Sequence, residues 1–370
     1  MTLALLLRRV LCRLCGRGPG RFLPFDRIVE NKLRDATRGG LPSAPSEGVV
    51  ARVAPDSFCF PPIDFPVDSR YPAVGLVPSP RRELWLLAAG AVAGHSGLVY
   101  EPRSRTAVLE TMLDWHEPPA RHPLLFAPRF PAPRPLAGLS LSLVTLSAEG
   151  FWHFLVEALP KLHLAASSPA PFDQLLVNGP DTGWKRRWLA RAGVSPERLV
   201  WIDGHSHFVC ERLLFTPPLV ADCLPTPWAI AALRALLRVP SPSPRPTRRV
   251  WAARSDAPSR RPAWENDLRS RLPGWEFVEF SRLSPGETIA LLADTAVLAG
   301  PHGANLANAV FLPPGAHLVE VVPPVPAKPL FHRLAAAAAL RFTLLPADFA
   351  TPVGLDLVVS GLPAASPVPA

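Results

Sequence analysis

Beyond residue 138 the hydrophobic positions settle into two alternating periods. Residues 139–146, LSLSLVTL, alternate apolar and polar side chains and predict a strand. Residues 151–166 repeat apolar side chains at helical spacing, 173–178 read as a strand, and 184–192 read as a helix closed by Gly193. Further strands are predicted at 198–202 and 212–215. This β-α-β-α order is the signature of a parallel sheet, because parallel neighbours need long crossover connections.

A second series of the same kind follows a break. Residues 239–247 carry four prolines in nine positions and predict an extended, semi-rigid connector. Beyond it, 249–253 is a strand ending at Arg254, 262–272 a helix and 275–280 a strand. Ser284, Pro285 and Glu287 open the next helix as N-cap, first helical residue and capping-box partner. Residues 296–299 form a buried strand, and 300–305 a turn into a helix running through 310. Strands at 317–322 and 341–345 flank a helix at 331–339. The first 135 residues are less regular, with a basic helix and a Gly/Pro/Ser-rich connection over 1–60. A Pro-broken stretch follows, with short strand-like pieces such as 83–88. The expected organisation is therefore 1–60, a Rossmann-like domain over 61–238, a linker over 239–248, a second Rossmann-like domain over 249–346, and a tail over 347–370.

Composition supports a core-forming chain. Of 370 residues, 48% are hydrophobic and 19% charged, which excludes a disordered class. Only four of the 39 basic residues are lysine; abundant Arg, Ala and Pro (48 prolines) match a GC-rich bacterial coding bias. The net charge of +9 is compatible with nucleic acid, a membrane surface or anionic ligands. The arginines are scattered in pairs, with no zinc-finger spacing or aromatic RNA-binding signature, so a solvated surface explains most of them. Five cysteines, Cys12, Cys15, Cys59, Cys210 and Cys223, do not describe a disulfide scaffold. The lone C-x-x-C at 12–15 lacks further zinc ligands. No stretch reaches the roughly 20 apolar residues of a membrane span. Leu3, Leu6, Leu7, Val10 and Leu14 share a helical face, with Arg8, Arg9 and Arg13 interleaved. Residues 1–17 read either as an amphipathic helix on an anionic membrane or as a helix docked on the protein itself.

Two local patterns carry candidate chemistry. At 299–308 an apolar strand runs into a Gly-containing turn and a helix. That aims backbone N–H groups and a helix dipole at the carboxyl edge of the sheet, where open α/β sheets bind ligands. Gly303 would allow close approach of a phosphate, and His302 sits at the mouth. The stretch is neither a Walker A nor a G-x-G-x-x-G motif, and an ordinary strand-to-helix turn remains the alternative. At 150–160, His153 and Glu157 stand four apart on one helical face, either a general-base pair or a polar pair on a half-buried helix. Arg254 ends a strand on the ligand edge with Arg260 close behind, where guanidinium groups neutralise a diphosphate. Glu320 is placed to accept from sugar hydroxyls, or is a sheet-edge charge. Asp203-Gly-His205-Ser-His207 offers two same-side histidines, read as a loop edge because no third metal ligand is near. No Asp-x-Asp occurs.

Three segments together resemble the catalytic domain of glycosyltransferase family 61. They are GFWHFLVEALPKL at 150–162, RSDAPSRRPAWEND at 254–267 and GPHGANLANAVFLPPGAHLVEVVP at 300–323. The resemblance covers roughly 138–345. It implies an α/β GT-B-like fold, two Rossmann-like domains with mainly parallel sheets facing a cleft. The implied enzyme is metal-independent and inverting, needs no cofactor and uses a nucleotide-sugar donor. Arg254, Arg260, His302, Gly303, Ala304, Asn305, Asn308 and Glu320 then fall on the donor side, and His153 and Glu157 on the acceptor side. Two departures stand out: Ala148-Glu149-Gly150 replaces a stretch in which the family often has Asn, and Glu265-Asn266 reverses the family's usual order. The implied acceptor is a glycan or lipid-linked molecule in capsule or other cell-surface polysaccharide synthesis. The expected place is the cytoplasm, peripheral on the inner membrane through 1–17, with no nucleic-acid partner. Two rivals are a non-catalytic polyanion- or nucleic-acid-binding protein and a degenerate member that binds a nucleotide sugar without transferring it.

Overall fold

The computed structural model describes residues 27–28, 48–68, 71, 75–103, 106–112, 122, 124, 131–168, 170–220, 225–255 and 259–363. The basic helix expected at 1–17, with Cys12 and Cys15, lies outside them. The chain divides into two units. One comprises Met1–Pro55, Pro80–Arg186 and Val194–Leu219; the other comprises Asp56–Ser79, Arg187–Gly193 and Val220–Ala370.

The first unit is built on a mixed sheet. Its main strands are Gly48–Val53 (β1), Arg82–Ala88 (β2), Ala91–Ala93 (β3), Leu98–Glu101 (β4), Arg134–Ser142 (β5), Gln174–Asn178 (β6), Leu199–Ile202 (β7) and His207–Phe215 (β8). β8, β5, β6 and β7 run parallel in that order. This half of the sheet is the one the β-α-β-α pattern predicts. β2 and β3 pair antiparallel with β8, and β1 and β4 extend the sheet antiparallel from β2 and β3. The expectation of a mainly parallel first sheet is corrected accordingly. The physical reason lies in the connections: β2 runs on into β3 along β8 with only an irregularity at Ala89–Gly90, and β3 and β4 are joined by a tight turn at Gly94–Gly97, far shorter than the dozen residues a parallel crossover needs. Gly90 is required there, since a Cβ would come within 2.8 Å of the Leu213 Cβ. Trp85, Leu87, Leu176, Phe208, Leu213 and Phe215 are buried together in its core.

Helix α1 spans 151–165, and its middle turn, Phe154–Ala158, is π-helical between α-helical ends Phe151–His153 and Leu159–Ala165. Pro160 accounts for the widening. It has no N–H to give residue 156, and its ring would strike that carbonyl in a regular α-turn. Helix α2, Gly183–Arg191, ends before Gly193, which takes φ +84°.

The second unit centres on a five-stranded sheet that is parallel throughout. Its strands are Arg248–Ala252 (β9), Glu276–Val278 (β10), Thr295–Pro301 (β11), His317–Val322 (β12) and Arg341–Pro346 (β13), in the order β10-β9-β11-β12-β13. β11 is buried along its whole length, as expected of a strand covered on both faces. Helix α3 is Pro227–Leu236, α4 Glu265–Arg271 and α5 Pro285–Ala293. Ser284 caps α5 with the reciprocal Glu287 bond of a capping box, as its sequence predicts. Helix α6 is Leu330–Ala337, and a further helix, α7, occupies Pro352–Gly361 in the stretch read as a tail. Leu355, Val358 and Leu362, spaced three and four apart, bury its inner face against the sheet's core. Asp56–Ser79 joins this unit from far upstream. Val67 bridges Ala327, and the Phe65 ring packs 5.8 Å from His332 and 6.1 Å from Phe342.

Among the described residues, no helix is long and apolar enough to cross a membrane.

Candidate active site

In the second unit, the carboxyl edge of the sheet gathers the residues expected to meet a donor. Arg254 lies two positions past the end of β9, and its backbone N–H donates to the buried Glu265 carboxylate at 3.0 Å. The same carboxylate accepts from the Trp251 indole at 2.9 Å, so one side chain ties together the end of β9, a core tryptophan and the start of α4. The Arg254 guanidinium donates to the Ser259 carbonyl from Nε and Nη2, at 3.3 and 3.0 Å. It lies against Gly303, and a Cβ there would overlap it. Glycine is thus required at 303 by close packing, while its extended backbone suits any residue.

His302 is fixed from two sides. Its N–H donates to Val321 O at 2.8 Å, and its ring Nδ1 meets Glu320 Oε1 in a short hydrogen bond. The strand register explains the second contact, since β11 and β12 place Gly300 beside Glu320. Glu320 is fully buried. Burial pushes its carboxyl above the usual range, and the hydrogen bond and charge of His302 and the charge of Arg260 work against that shift. The Phe331 ring meets the imidazole edge-on at 5.4 Å. Glu320 Oε2, Asn305 Oδ1 and Asn308 Oδ1 are buried acceptors without a hydrogen-bond partner. Such acceptors suit a ligand that brings hydroxyl or N–H donors.

The segment after Gly303 departs from expectation. Ala304–Phe311 is a 3₁₀-helix in place of the predicted α-helix. The Asn308 side-chain amide donates to Asn305 O at 2.8 Å, taking the carbonyl an α-helix would offer to residue 309. Leu306 N bonds Gly303 O, three residues back.

In the first unit, His153 Nδ1 and Glu157 Oε1 lie 2.8 Å apart on α1, within its π-turn region. π-turns inside helices are frequent at functional sites. One turn on, the buried Lys161 ammonium donates to Val144 O at 3.0 Å. Desolvation pulls its pKa down to about 8, with the Glu157 charge pulling the other way. The sequence reading did not single out Lys161; its signal was the continued four-residue spacing His153, Glu157, Lys161. Trp184 meets the Phe151 and Phe154 rings edge-on at 5.7 and 5.2 Å.

The two histidines of 203–207 separate. His207 starts β8, buried, with its ring between the Tyr100 hydroxyl (2.6 Å) and Pro131 O (2.8 Å). His205 stays in the turn, its N–H donating to Asp203. Among the described residues no group of three or more His, Cys, Asp or Glu side chains is arranged to hold a metal ion. Glu265 was noted only as a reversal of family order. It stands eleven positions after Arg254, and no spacing rule connects them.

A parallel sheet with an arginine, a glycine and a carboxylate-held histidine at its carboxyl edge is laid out where open α/β sheets take ligands. Residues 151–319 match the model of the family described as Glycosyltransferase 61. The chain carries that family's catalytic domain, and it is a glycosyltransferase, taking a sugar donor and an acceptor. The match begins at the first residue of α1 and ends one residue before Glu320. It therefore includes His153, Glu157, Arg254, Arg260 and the whole 302–308 turn. No curated protein matches the chain.

Proposed function

We propose that the chain is an inverting, metal-independent glycosyltransferase. It moves a sugar from a nucleotide-sugar donor to a glycan or lipid-linked acceptor in cell-surface polysaccharide synthesis. In this reading the unit containing Pro80–Arg186 and Val194–Leu219 is the acceptor half of a GT-B enzyme, and the unit containing Val220–Ala370 is the donor half. The observation that carries the reading is the packing of the Arg254 guanidinium on Gly303 beside the His302–Glu320 pair. Fixed cations at the carboxyl edge of a parallel sheet suit a departing diphosphate.

The chemistry is a single displacement. An acceptor hydroxyl oxygen forms a bond to the anomeric carbon as the bond from that carbon to the diphosphate oxygen breaks, inverting the configuration. The His153 imidazole, held by Glu157, takes the hydroxyl proton. Negative charge grows on the leaving diphosphate, where Arg254 and His302 meet it in place of a metal ion. Arg260, Ala304 and the amides of Asn305 and Asn308 complete the donor side, and Glu320 orients His302. Residues 1–17, whose sequence interleaves leucines with arginines, would hold the enzyme at the cytoplasmic face of a membrane near a lipid-linked acceptor.

The test is calorimetry with UDP, GDP, CDP, dTDP and CMP in the absence of divalent metal. One nucleotide binds to the wild type, and Arg254→Ala and His302→Ala lose it. His302→Ala also lowers turnover by an order of magnitude or more, as loss of a charge-stabilising donor does. Binding to none of the five, with steeply salt-dependent binding to DNA, would replace this reading with that of a polyanion-binding protein.

A further inference from the structure

The first unit holds a cavity of about 620 Å³ that neither the His153–Glu157 pair nor the donor residues account for. It lies past the carboxyl ends of β6 and β7, the edge at which parallel sheets take ligands, and its size falls within the roughly 300–1,000 Å³ of small-molecule sites. Its walls come from four stretches: the turn holding His95, the loop holding Ser147 and Glu149, the segment after β6 with Asp181, and the end of β7 and the turn beyond it, with Trp201 and Asp203.

A single buried side chain joins these walls. Asn178, 1% exposed, accepts from Thr145 N at 3.0 Å and donates to His95 O at 2.7 Å and to Glu149 Oε1 at 3.4 Å. The buried Lys185 ammonium holds the carbonyls of Asn178 and Gly179 at 2.8 and 3.1 Å. Ser147 takes φ +61°, a left-handed conformation a serine adopts only when its surroundings impose it. These ties fix the shape of the cavity before any ligand arrives.

The lining selects a chemistry. It offers one aromatic surface, Trp201, with the Arg186 guanidinium 5.8 Å from the centre of its ring, and three carboxylates. Asp181 is paired with Arg186, and Glu149 lies within reach of the Lys185 charge, so three carboxylates face two cations and the site keeps a small negative excess centred on Asp203. Asp203 is held below the usual carboxylate range by hydrogen bonds from Ser206 and the His205 N–H, so it is ionised at neutral pH. In a chain of net charge +9, an acidic pocket disfavours phosphates and uronates. Carboxylates accept from several hydroxyls at once, and an indole offers a flat apolar face to a ring's C–H edge.

We propose that this cavity binds an uncharged sugar ring of the acceptor, with Trp201 as its apolar platform and Glu149 and Asp203 accepting its hydroxyls. The inference rests on the acceptor reading of α1: the loop carrying Ser147 and Glu149 runs directly into the helix that bears His153.

Saturation-transfer NMR on the full chain tests it, using glucose, galactose, N-acetylglucosamine, glucuronate and galacturonate as probes. At least one neutral sugar receives saturation, and the uronates do not. Trp201→Ala raises the Kd of that sugar about tenfold, and Glu149→Gln, which keeps the side chain's size, about fivefold. Nucleotide binding stays at the wild-type level in both variants. Preference for the uronates, or an unchanged Kd in either variant with a native circular-dichroism spectrum, overturns the proposal. Absence of nucleotide binding in a wild type that still binds the neutral sugar would instead remove the donor reading and leave this site standing.

Discussion

Replacing Gly303 with alanine puts a methyl group where the Arg254 guanidinium lies. An arginine at a free surface would swing aside at little cost. Arg254 is 8% exposed and held by two hydrogen bonds to Ser259 O, so displacing it breaks both. Hydrogen bonds made by a charged group contribute about 1.5–3 kcal/mol, which corresponds to a roughly 10- to 150-fold weaker Kd if Arg254 can no longer be presented to the diphosphate. The assay is calorimetry of the nucleotide that binds the wild type, on four proteins: wild type, Gly303→Ala, Arg254→Ala and the double variant. If the methyl group acts by displacing the arginine, the double variant binds no more weakly than Arg254→Ala, because the two changes remove one interaction. Gly286→Ala, on α5 with no neighbour nearer than 4.0 Å, serves as the control for replacing a glycine as such. Additive losses in the double variant, or Gly303→Ala binding within twofold of the wild type, would refute the reasoning.

Other predictions concern the two units separately. Ser284→Ala removes the N-cap of α5 and should cost about 1 kcal/mol, read as a lower denaturant midpoint with an unchanged slope. Lys161 should shape stability against pH in the alkaline range. With a folded pKa of about 8 against about 10.5 unfolded, the unfolded chain holds the extra proton between those values, so the Lys161 penalty is full below pH 8 and fades as pH rises towards 10.5. The difference in unfolding free energy between wild type and Lys161→Met should therefore climb over that window, and a flat difference would contradict the buried ammonium. His153→Ala should lower kcat by about 10²–10⁴-fold, the span of general-base catalysis, with nucleotide Kd unchanged in calorimetry.

Much of this architecture is legible in local pattern. The capping box at Ser284 and Glu287 names its helix start to the residue, and the four-residue spacing of His153 and Glu157 survives into a hydrogen bond. The spacing of Gly300 and Glu320 delivers the His302 contact only through the β11–β12 register, which an apolar strand pattern alone does not specify. What the pattern hides is chiefly non-local. The apolar stretch from 84 to 93 gives no sign that it folds back antiparallel beside β8, more than a hundred residues later. Nor does it link Glu265 to the amide of Arg254. The 3₁₀ segment escaped for a different reason: its composition suits an α-helix, and a single side-chain amide at Asn308 redirects the bonding. Helix α7 was within reach, since Leu355, Val358 and Leu362 keep helical spacing behind Pro352.

The early segment that completes the second unit has a consequence for synthesis. Phe65 packs on His332 and Phe342, and Val67 pairs with Ala327, so residues 56–79 can settle only after the sheet they join has been made. At about 5–20 residues per second, translation leaves them waiting on the order of 10–50 s after they are made. Throughout that interval Phe58, Phe60 and Phe65 belong to no finished core. Until then the Phe65 ring lacks the partners that cover it in the finished sheet, and slower translation lengthens that exposure.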